Sequence, residues 1–493
     1  MTKQNKIIYG LLLIIIVARI FAMVTLPLTD KTEARYAHTA YLMATTNDWI
    51  TPYFDIGVPF WGKPPFSFWA EAFFYKIFGL HDFSARIPAL IFTLLTLLCI
   101  FKYLKTFYTE STALWGVLVY STFLSTYALS GAVLTDPYFA FSTTLSMISF
   151  IMIVKNRETY WQYLFFIGIS IGLLAKGPLT LVLIGGAIVF WILFDFKNRI
   201  KELKKLFWIR GTILTTILVV PWYVIAELKT PGFLNYFIVG EHFKRFLDPG
   251  WSGDLYGTAH KRAHGIIWLM WIEASFPWVL LVFYALFKNN NSKTKLSDMV
   301  KNLKQNSEIS YFIMWSLFTM TFFSLAGNVL WTYVLPALSS LAILIAIYLQ
   351  QVDYKLMFKK FNLVYLFTLT VPIVVIIINL YLMVCTNILP TEKYLLAKYQ
   401  SLSSKNTKIY YMYSRPFSAQ YYSNDKAILV LSKGDTRKHY SNSISRDFFQ
   451  TILHNGEKKF IAIPKNKLKK ISDEIKKPLK KIFESKTFIL FKI

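Results

Sequence analysis

IIYGLLLIIIVARIFAMVTLPL, residues 7–28, runs directly into TDKTEARYA, residues 29–37. The first stretch is long enough to cross about 30 Å of hydrocarbon as a helix, which takes about 20 apolar residues. Lys3 and Lys6 precede it and no clear small-x-small cleavage site follows, so it reads as an uncleaved first span rather than a signal peptide. The polar stretch then sets two carboxylates, Asp30 and Glu33, and the guanidinium of Arg35 at the outer lip of that span. Asp30 with Glu33 three residues on is also a capping-box-like pattern. A capped helix end is a rigid mount for a working carboxylate, so the two readings are compatible.

Working outward, further apolar windows fall at roughly 87–104, 112–131, 137–154, 160–175, 178–195, 208–226, 265–287, 309–326, 329–350 and 361–385, for about eleven spans in all. Composition agrees. The 493 residues are 55% hydrophobic, 18% aromatic and only 16% charged, with a mean hydropathy of +0.42. A water-soluble enzyme of this length would be nearer one quarter charged, roughly, and is excluded. With the N-terminus inside, the inner loops carry Lys102 and Lys105; Lys155 and Arg157; Lys197, Arg199, Lys201, Lys204 and Lys205; Lys288, Lys293, Lys295, Lys301 and Lys304; and Lys355, Lys359 and Lys360. Every second connection is basic, as the positive-inside rule requires.

The outer segments differ in kind. Two are long, 29–86 and 227–264, and the others are tight turns around Asp136, Lys176–Pro178 and Asn328. Together they suit the walls and floor of one site. From about 386 the chain alternates β-like runs (Lys408–Tyr413, Ala427–Leu431, Phe460–Ile463, Thr487–Lys492) with a lysine-rich helical stretch, Lys465–Lys481. The expected organisation is therefore a membrane domain, 1–385, and a small α/β domain, 386–493, placed outside by the odd number of spans. Of the net +27, this tail carries 22 Lys+Arg against 8 Asp+Glu, a net of +14. It is expected to rest on anionic headgroups or to recruit a phosphate-bearing acceptor, at about 1 kcal/mol per basic residue. Cys99 and Cys385 have no metal-ligand spacing and make no disulfide framework. There is no internal repeat of the kind transporters use.

Several polar residues stand where burial is costly without a partner. Pro64 and Pro65 hold Lys63 in an extended backbone among Trp61, Phe66 and Trp69, which suits an anionic headgroup whose tail lies in lipid. Asp136 opens a span, and Lys176 occupies an outer turn where the positive-inside rule disfavours a lysine. His242 and Arg245 lie in Glu241–Phe246, and Asn328 and Tyr333 at an outer helix end. The plain alternative for each is a structural ion pair or an interfacial aromatic belt.

Taken jointly, TEARYAHTAYLM (Thr32–Met43), NDWITPYFDIGVPFWGKPPFSFW (Asn47–Trp69), FGLHDFSARIPAL (Phe78–Leu90), LTDPYFAF (Leu134–Phe141), LAKGPLTLVL (Leu174–Leu183), EHFKRF (Glu241–Phe246) and TYVLPAL (Thr332–Leu338) resemble the bacterial integral-membrane glycosyltransferases of the ArnT type. These are aminoarabinose transferases that modify lipid A and are related to protein O-mannosyltransferases. The resemblance implies an all-α polytopic membrane protein of the GT-C fold with a small C-terminal α/β domain. It implies transfer of a sugar from a polyprenyl-phosphate carrier to lipid A at the periplasmic face of the bacterial inner membrane. Protein O-glycosylation or transfer to another envelope glycan is the alternative, and lipid-linked sugar transport a more distant one. By motif, Arg35, Lys63, Lys176 and Arg245 would hold phosphate, Tyr333 would line the donor cavity, and Asp136 and His242 would support it.

Two departures matter. The family often reads Asp-Glu-x-Arg-Tyr where this chain has Thr32 first, so the working carboxylate is expected to be Asp30, with Glu33 next. The family's Glu before Lys-Pro-Pro is Gly62 here, which removes one ligand of a metal site that relatives build with the loop histidine. No metal, no nucleotide and no other cofactor is expected, and no nucleic acid partner. Preorganised cations at the leaving phosphate would stabilise the charge that develops there. A hydroxyl acceptor would need the carboxylate as base, whereas a phosphate acceptor would not.

Overall fold

The computed structural model describes residues 2–248, 250–257, 260–290, 296–351, 363–404, 407–431, 442–453, 459–471 and 479–493. The chain forms two compact units that do not follow chain order. The first comprises Met1–Phe21, Trp61–Ser67 and Ile87–Ile376; the second comprises Ala22–Phe60, Phe68–Arg86 and Ile377–Ile493. The unit that carries the C-terminal sheet thus also takes in most of the loop between the first two spans.

Every apolar window holds helix, and the chain is a multi-pass membrane protein. Six described helices are long and apolar enough to cross a bilayer: Lys3–Thr25, Asp82–Phe107, Asp136–Val154, Trp208–Lys229, Trp331–Gln351 and Phe367–Val384. Two more qualify only as bent pairs, Leu179–Phe194 with Phe196–Lys205 (119°) and Ile267–Ala274 with Val279–Phe287 (105°). The expected eleven therefore counted windows whose helices are short, such as Glu110–Thr122 with 13 residues. Of the basic inner loops, Lys293, Lys295, Lys355, Lys359 and Lys360 lie outside the described residues.

In the first unit, Asp136–Val154 is the central helix, with 94% of its apolar window buried. A helix apolar all round belongs in such an interior. Small residues let Tyr160–Lys176 come close to it: a Cβ on Gly168 would lie 2.3 Å from Ser146 Oγ. Ser142 and Ser170 bond back to their own helices, to Phe139 O at 3.0 Å and Phe166 O at 2.8 Å, while Ser146 donates across the pair to Phe165 O at 3.0 Å. Phe150 stacks on Tyr311 and meets Trp191 edge-on, with centroids 5.8 and 5.9 Å apart. Glu308 draws three helices together, accepting from Tyr103 at 2.5 Å and Tyr108 at 2.7 Å and pairing with Lys155.

The second unit is built on a six-stranded sheet. Its strands are β3 (Ile409–Met412), β4 (Ala427–Leu431), β5 (Ser443–Ser445), β6 (Phe460–Pro464), β7 (Lys480–Glu484) and β8 (Phe488–Lys492), in the order β5-β4-β3-β6-β8-β7. The first four in that order run parallel, and β8 and β7 are antiparallel additions. Alternation sends Ile409, Tyr411, Phe460 and Leu490 to one core and Tyr410, Met412, Ile461 and Ile463 to the other. The four expected strands are present. The expected helix Lys465–Lys481 is not continuous: Lys465–Lys470 form a 3-10 turn, and Lys480 and Lys481 begin β7. Residues 472–478 of that stretch lie outside the described residues. A small hairpin, β1 (Tyr53–Asp55) and β2 (Val58–Pro59), turns at Gly57, whose φ of +77° suits glycine.

Candidate active site

Within the first unit a cavity of about 370 Å³ has a polar end and an apolar wall. Lys63, Lys176, Glu241, His242, Arg245, Asn328 and Tyr333 make the polar end; Leu179, Val182, Phe243, Leu247, Phe322 and Phe323 make the wall. Five of the expected site residues thus converge on one space.

Each side chain has a local reason for its place. Lys176 ends one helix, and Gly177 takes φ +76° to turn the chain into Pro178 and the next helix. A Cβ there would meet the Phe237 ring at 2.6 Å. Lys176 Nζ lies 3.0 Å from Asp136 Oδ1, which opens the central helix, and 5.0 Å from the centre of the Tyr333 ring. The second long loop folds as a π-helix, Asn235–Lys244, followed by Arg245–Leu247. Its Glu241 accepts from Arg245 Nη1 at 3.0 and 3.1 Å and from the Tyr236 hydroxyl at 3.2 Å, and lies 3.6 Å from Lys63 Nζ. Asp254 backs Arg245 at 3.3 Å. Trp61, two residues before Lys63, is pinned by Thr230 and by the Tyr256 hydroxyl, which ties this stretch to the second long loop.

Burial lowers the pKa of Lys63; the Glu241 charge opposes this, and the nearby Lys176 adds to it. Burial would raise the Glu241 carboxyl, but Lys63 and Arg245 more than reverse it, so it sits below its usual value and is ionised near neutrality. His242 is lowered by burial against the pull of two carbonyls, Phe237 O at 2.8 Å and Lys176 O at 2.9 Å. Both ring nitrogens are therefore turned to backbone. No group of three or more His, Cys, Asp or Glu side chains suited to a metal occurs among the described residues.

The remaining expected residues, Asp30, Glu33 and Arg35, belong to the second unit. The helix Thr32–Thr46 has Lys31 rather than Asp30 at its N-cap, with no side-chain cap. Asp30 instead accepts from the Ser418 backbone at 3.0 Å and from the Ser418 hydroxyl. Glu33 does reach back to a backbone N–H, that of Thr29 at 3.2 Å, and is held by Arg86 at 2.9 and 3.0 Å. Arg35 lies over the rings of Tyr36, Phe60 and Phe417 at 5.2, 5.5 and 6.0 Å. Sequence reasoning missed Glu241 and Asp254 as partners of the cations, and it missed Arg86 and the buried Arg415–Asp55 pair at 2.8 Å. The signal for Glu241 was present in EHFKRF, an acid followed by two bases, Lys244 and Arg245, about one turn on.

Ser418 also joins Asp30 to a second carboxyl: its hydroxyl accepts from the Glu392 N–H at 3.0 Å, and Glu392 accepts from Ser485 at 3.0 Å. Burial raises Asp30 to about 6 against the Ser418 donors, and raises Glu392 to about 8, with Asp30's charge adding to the rise. Both values exceed those of the unfolded chain, so the folded unit holds protons that the unfolded chain releases. This contribution is complete below about pH 4 and is lost as pH rises through about 6 and then 8. Thermal melting of the protein between pH 5 and 9 should therefore show a decline of a few kcal/mol, and Glu392→Gln should remove its upper half. An unchanged decline in that variant would assign it to other groups.

Comparison with known proteins places this geometry in context. Residues 6–237 match the family model described as dolichyl-phosphate-mannose-protein mannosyltransferase. The chain is similar to proteins named undecaprenyl phosphate-alpha-4-amino-4-deoxy-L-arabinose arabinosyl transferase. The Erwinia tasmaniensis protein is 28% identical over 319 residues, 64% of this chain and 54% of that protein. The Aeromonas hydrophila protein is 27% identical over 325 residues, 65% of this chain and 56% of that protein. The match thus spans about half the length of those relatives. In fold the chain is similar to ArnT from Cupriavidus metallidurans bound to undecaprenyl phosphate, with a TM-score of 0.80, 14% identity, and coverage of 100% of this chain and 98% of the other.

Proposed function

We propose, from the premise that this chain is of the ArnT type within the GT-C superfamily and related to protein O-mannosyltransferases, that it moves a sugar from a polyprenyl phosphate to lipid A at the periplasmic face of the bacterial inner membrane. One observation carries the reading. A single cavity joins three cations, Lys63, Lys176 and Arg245, to an apolar wall whose Phe243 and Leu247 are 59% and 76% exposed. A phosphate with a long hydrocarbon tail has that distribution of chemistry.

In the step proposed, an acceptor oxygen bonds to the sugar's anomeric carbon as the bond from that carbon to the phosphate oxygen breaks. The electron pair leaves with the lipid phosphate, which changes from a diester to a monoester. Lys63 and Arg245 face the charge that grows on that phosphate, and Lys176, steadied by Asp136 and the Tyr333 ring, faces it from the other helix pair. Arg35 is assigned to a phosphate as well. A lipid A phosphate is already anionic and brings no proton that must be removed. Asp30 and Glu33 then serve the second unit through Ser418 and Arg86, and no general base is required.

Lipid A from cells with and without the gene tests the reading. Loss of one pentosamine, hexosamine or hexose increment is expected in the mutant. An unchanged lipid A together with a lost protein or glycan modification would favour the second reading, O-glycosylation, which the family-model match supports.

A further inference from the structure

We propose that Glu241 is the release device for the spent lipid phosphate, an internal anion that competes with the leaving monoester for Lys63 and Arg245. The inference rests on the donor-site reading above.

Among the described residues Glu241 is the one carboxylate that lines the cavity, and its side chain is 5% exposed. It is fixed from behind by the Tyr236 hydroxyl and by Arg245, while its approach to Lys63, 3.6 Å, is longer than a hydrogen bond. Lys63 Nζ donates instead to the Gly62 carbonyl at 2.6 Å. The attraction between Lys63 and Glu241 is thus Coulombic and loose, and a phosphate can enter the contact without rupturing a bond. Lys176 and Arg245 already have carboxylate partners, Asp136 and Asp254.

The substrate and product of a transfer from a polyprenyl phosphate differ in charge. The sugar-bearing diester carries one negative charge; the monoester left behind carries nearly two above its second pKa of about 6. Three cations hold a dianion harder than a monoanion, so a cavity built of cations alone would be inhibited by its own product. A fixed carboxylate a few ångströms away repels both ligands, but it repels the dianion about twice as strongly. Glu241 therefore equalises the two affinities and lets the product go.

The test uses the full chain in detergent or nanodiscs, with undecaprenyl phosphate as the monoester and its methyl ester as the diester. Dissociation constants are measured for the wild type, Glu241→Gln and Glu241→Asp at pH 7.5 and pH 5. Glu241→Gln should strengthen monoester binding by about tenfold or more beyond any gain for the methyl ester at pH 7.5. At pH 5, where the monoester is a monoanion, that difference should vanish; Glu241→Asp should keep the wild-type ratio. A residue that only positions Lys63 and Arg245 would weaken both ligands, which overturns the inference, as do equal gains. Should Glu241→Gln fail to fold, the wild type still decides: a monoester preference above about tenfold at pH 7.5 overturns the inference. If the wild type binds neither lipid, the donor-site reading itself falls.

Discussion

Lys63→Met is expected to lower turnover by about 10²–10³-fold, the usual cost of losing a preorganised charge at a site where negative charge develops. The lysine is held by its own surroundings: Pro64 and Pro65 follow it, Trp61 is pinned beside it, and Lys176 and Arg245 share its cavity. Removing its charge leaves Glu241 with Arg245 alone, which lowers the positive potential further. Because burial and the neighbouring cations lower the pKa of Lys63, the alkaline fall in kcat/KM should begin earlier than for an ordinary lysine. Lys63→Arg should restore part of the turnover and remove that fall. Unchanged turnover in Lys63→Met, measured with a polyprenyl-phosphate sugar in membranes, would sink the donor assignment.

Arg86→Met should cost about 3–5 kcal/mol of stability, the range for breaking a buried ion pair from one side. Its guanidinium, 5% exposed, donates to both oxygens of Glu33 and to the carbonyls of Met23 at 3.0 Å, Leu26 at 2.5 Å and Pro27 at 3.0 Å. Methionine matches the length and leaves a carboxylate and three carbonyls without that donor. Glu33→Gln removes the same pair from the other side and should also lower the melting temperature. The folded fraction of both variants should retain turnover. Lost turnover at an unchanged melting temperature in Glu33→Gln would return that residue to the chemistry.

The membrane architecture was legible because hydropathy is additive along the chain, and each apolar window does hold helix. The span count was not legible, because a window does not register the bends at Asp195 and between Ala274 and Val279. In the tail, the strands rich in Ile, Val, Leu and Phe announced themselves. The edge strand Lys480–Glu484 did not, since its lysines read as a solvated helix face. Lys63 stood out by its prolines and aromatics, Lys176 by an outer turn that the positive-inside rule disfavours, and Arg245 and Tyr333 by motif; the four line one cavity. What pairs with them was hidden: nothing in one dimension joins Glu33 to Arg86, 53 positions on, or Asp30 to Ser418, 388 positions on.

The Glu308 junction bears on how the protein is made. Lys155 lies in a basic connection of the kind the positive-inside rule counts, and in the folded protein it is spent on Glu308, together with Tyr103 and Tyr108. Glu308 is synthesised 153 residues later. Until Glu308 is made, that pair cannot form; once it arrives, the lysine is a tie between helices. The charge displayed by the finished protein thus understates the basicity of that connection in the chain as it is made.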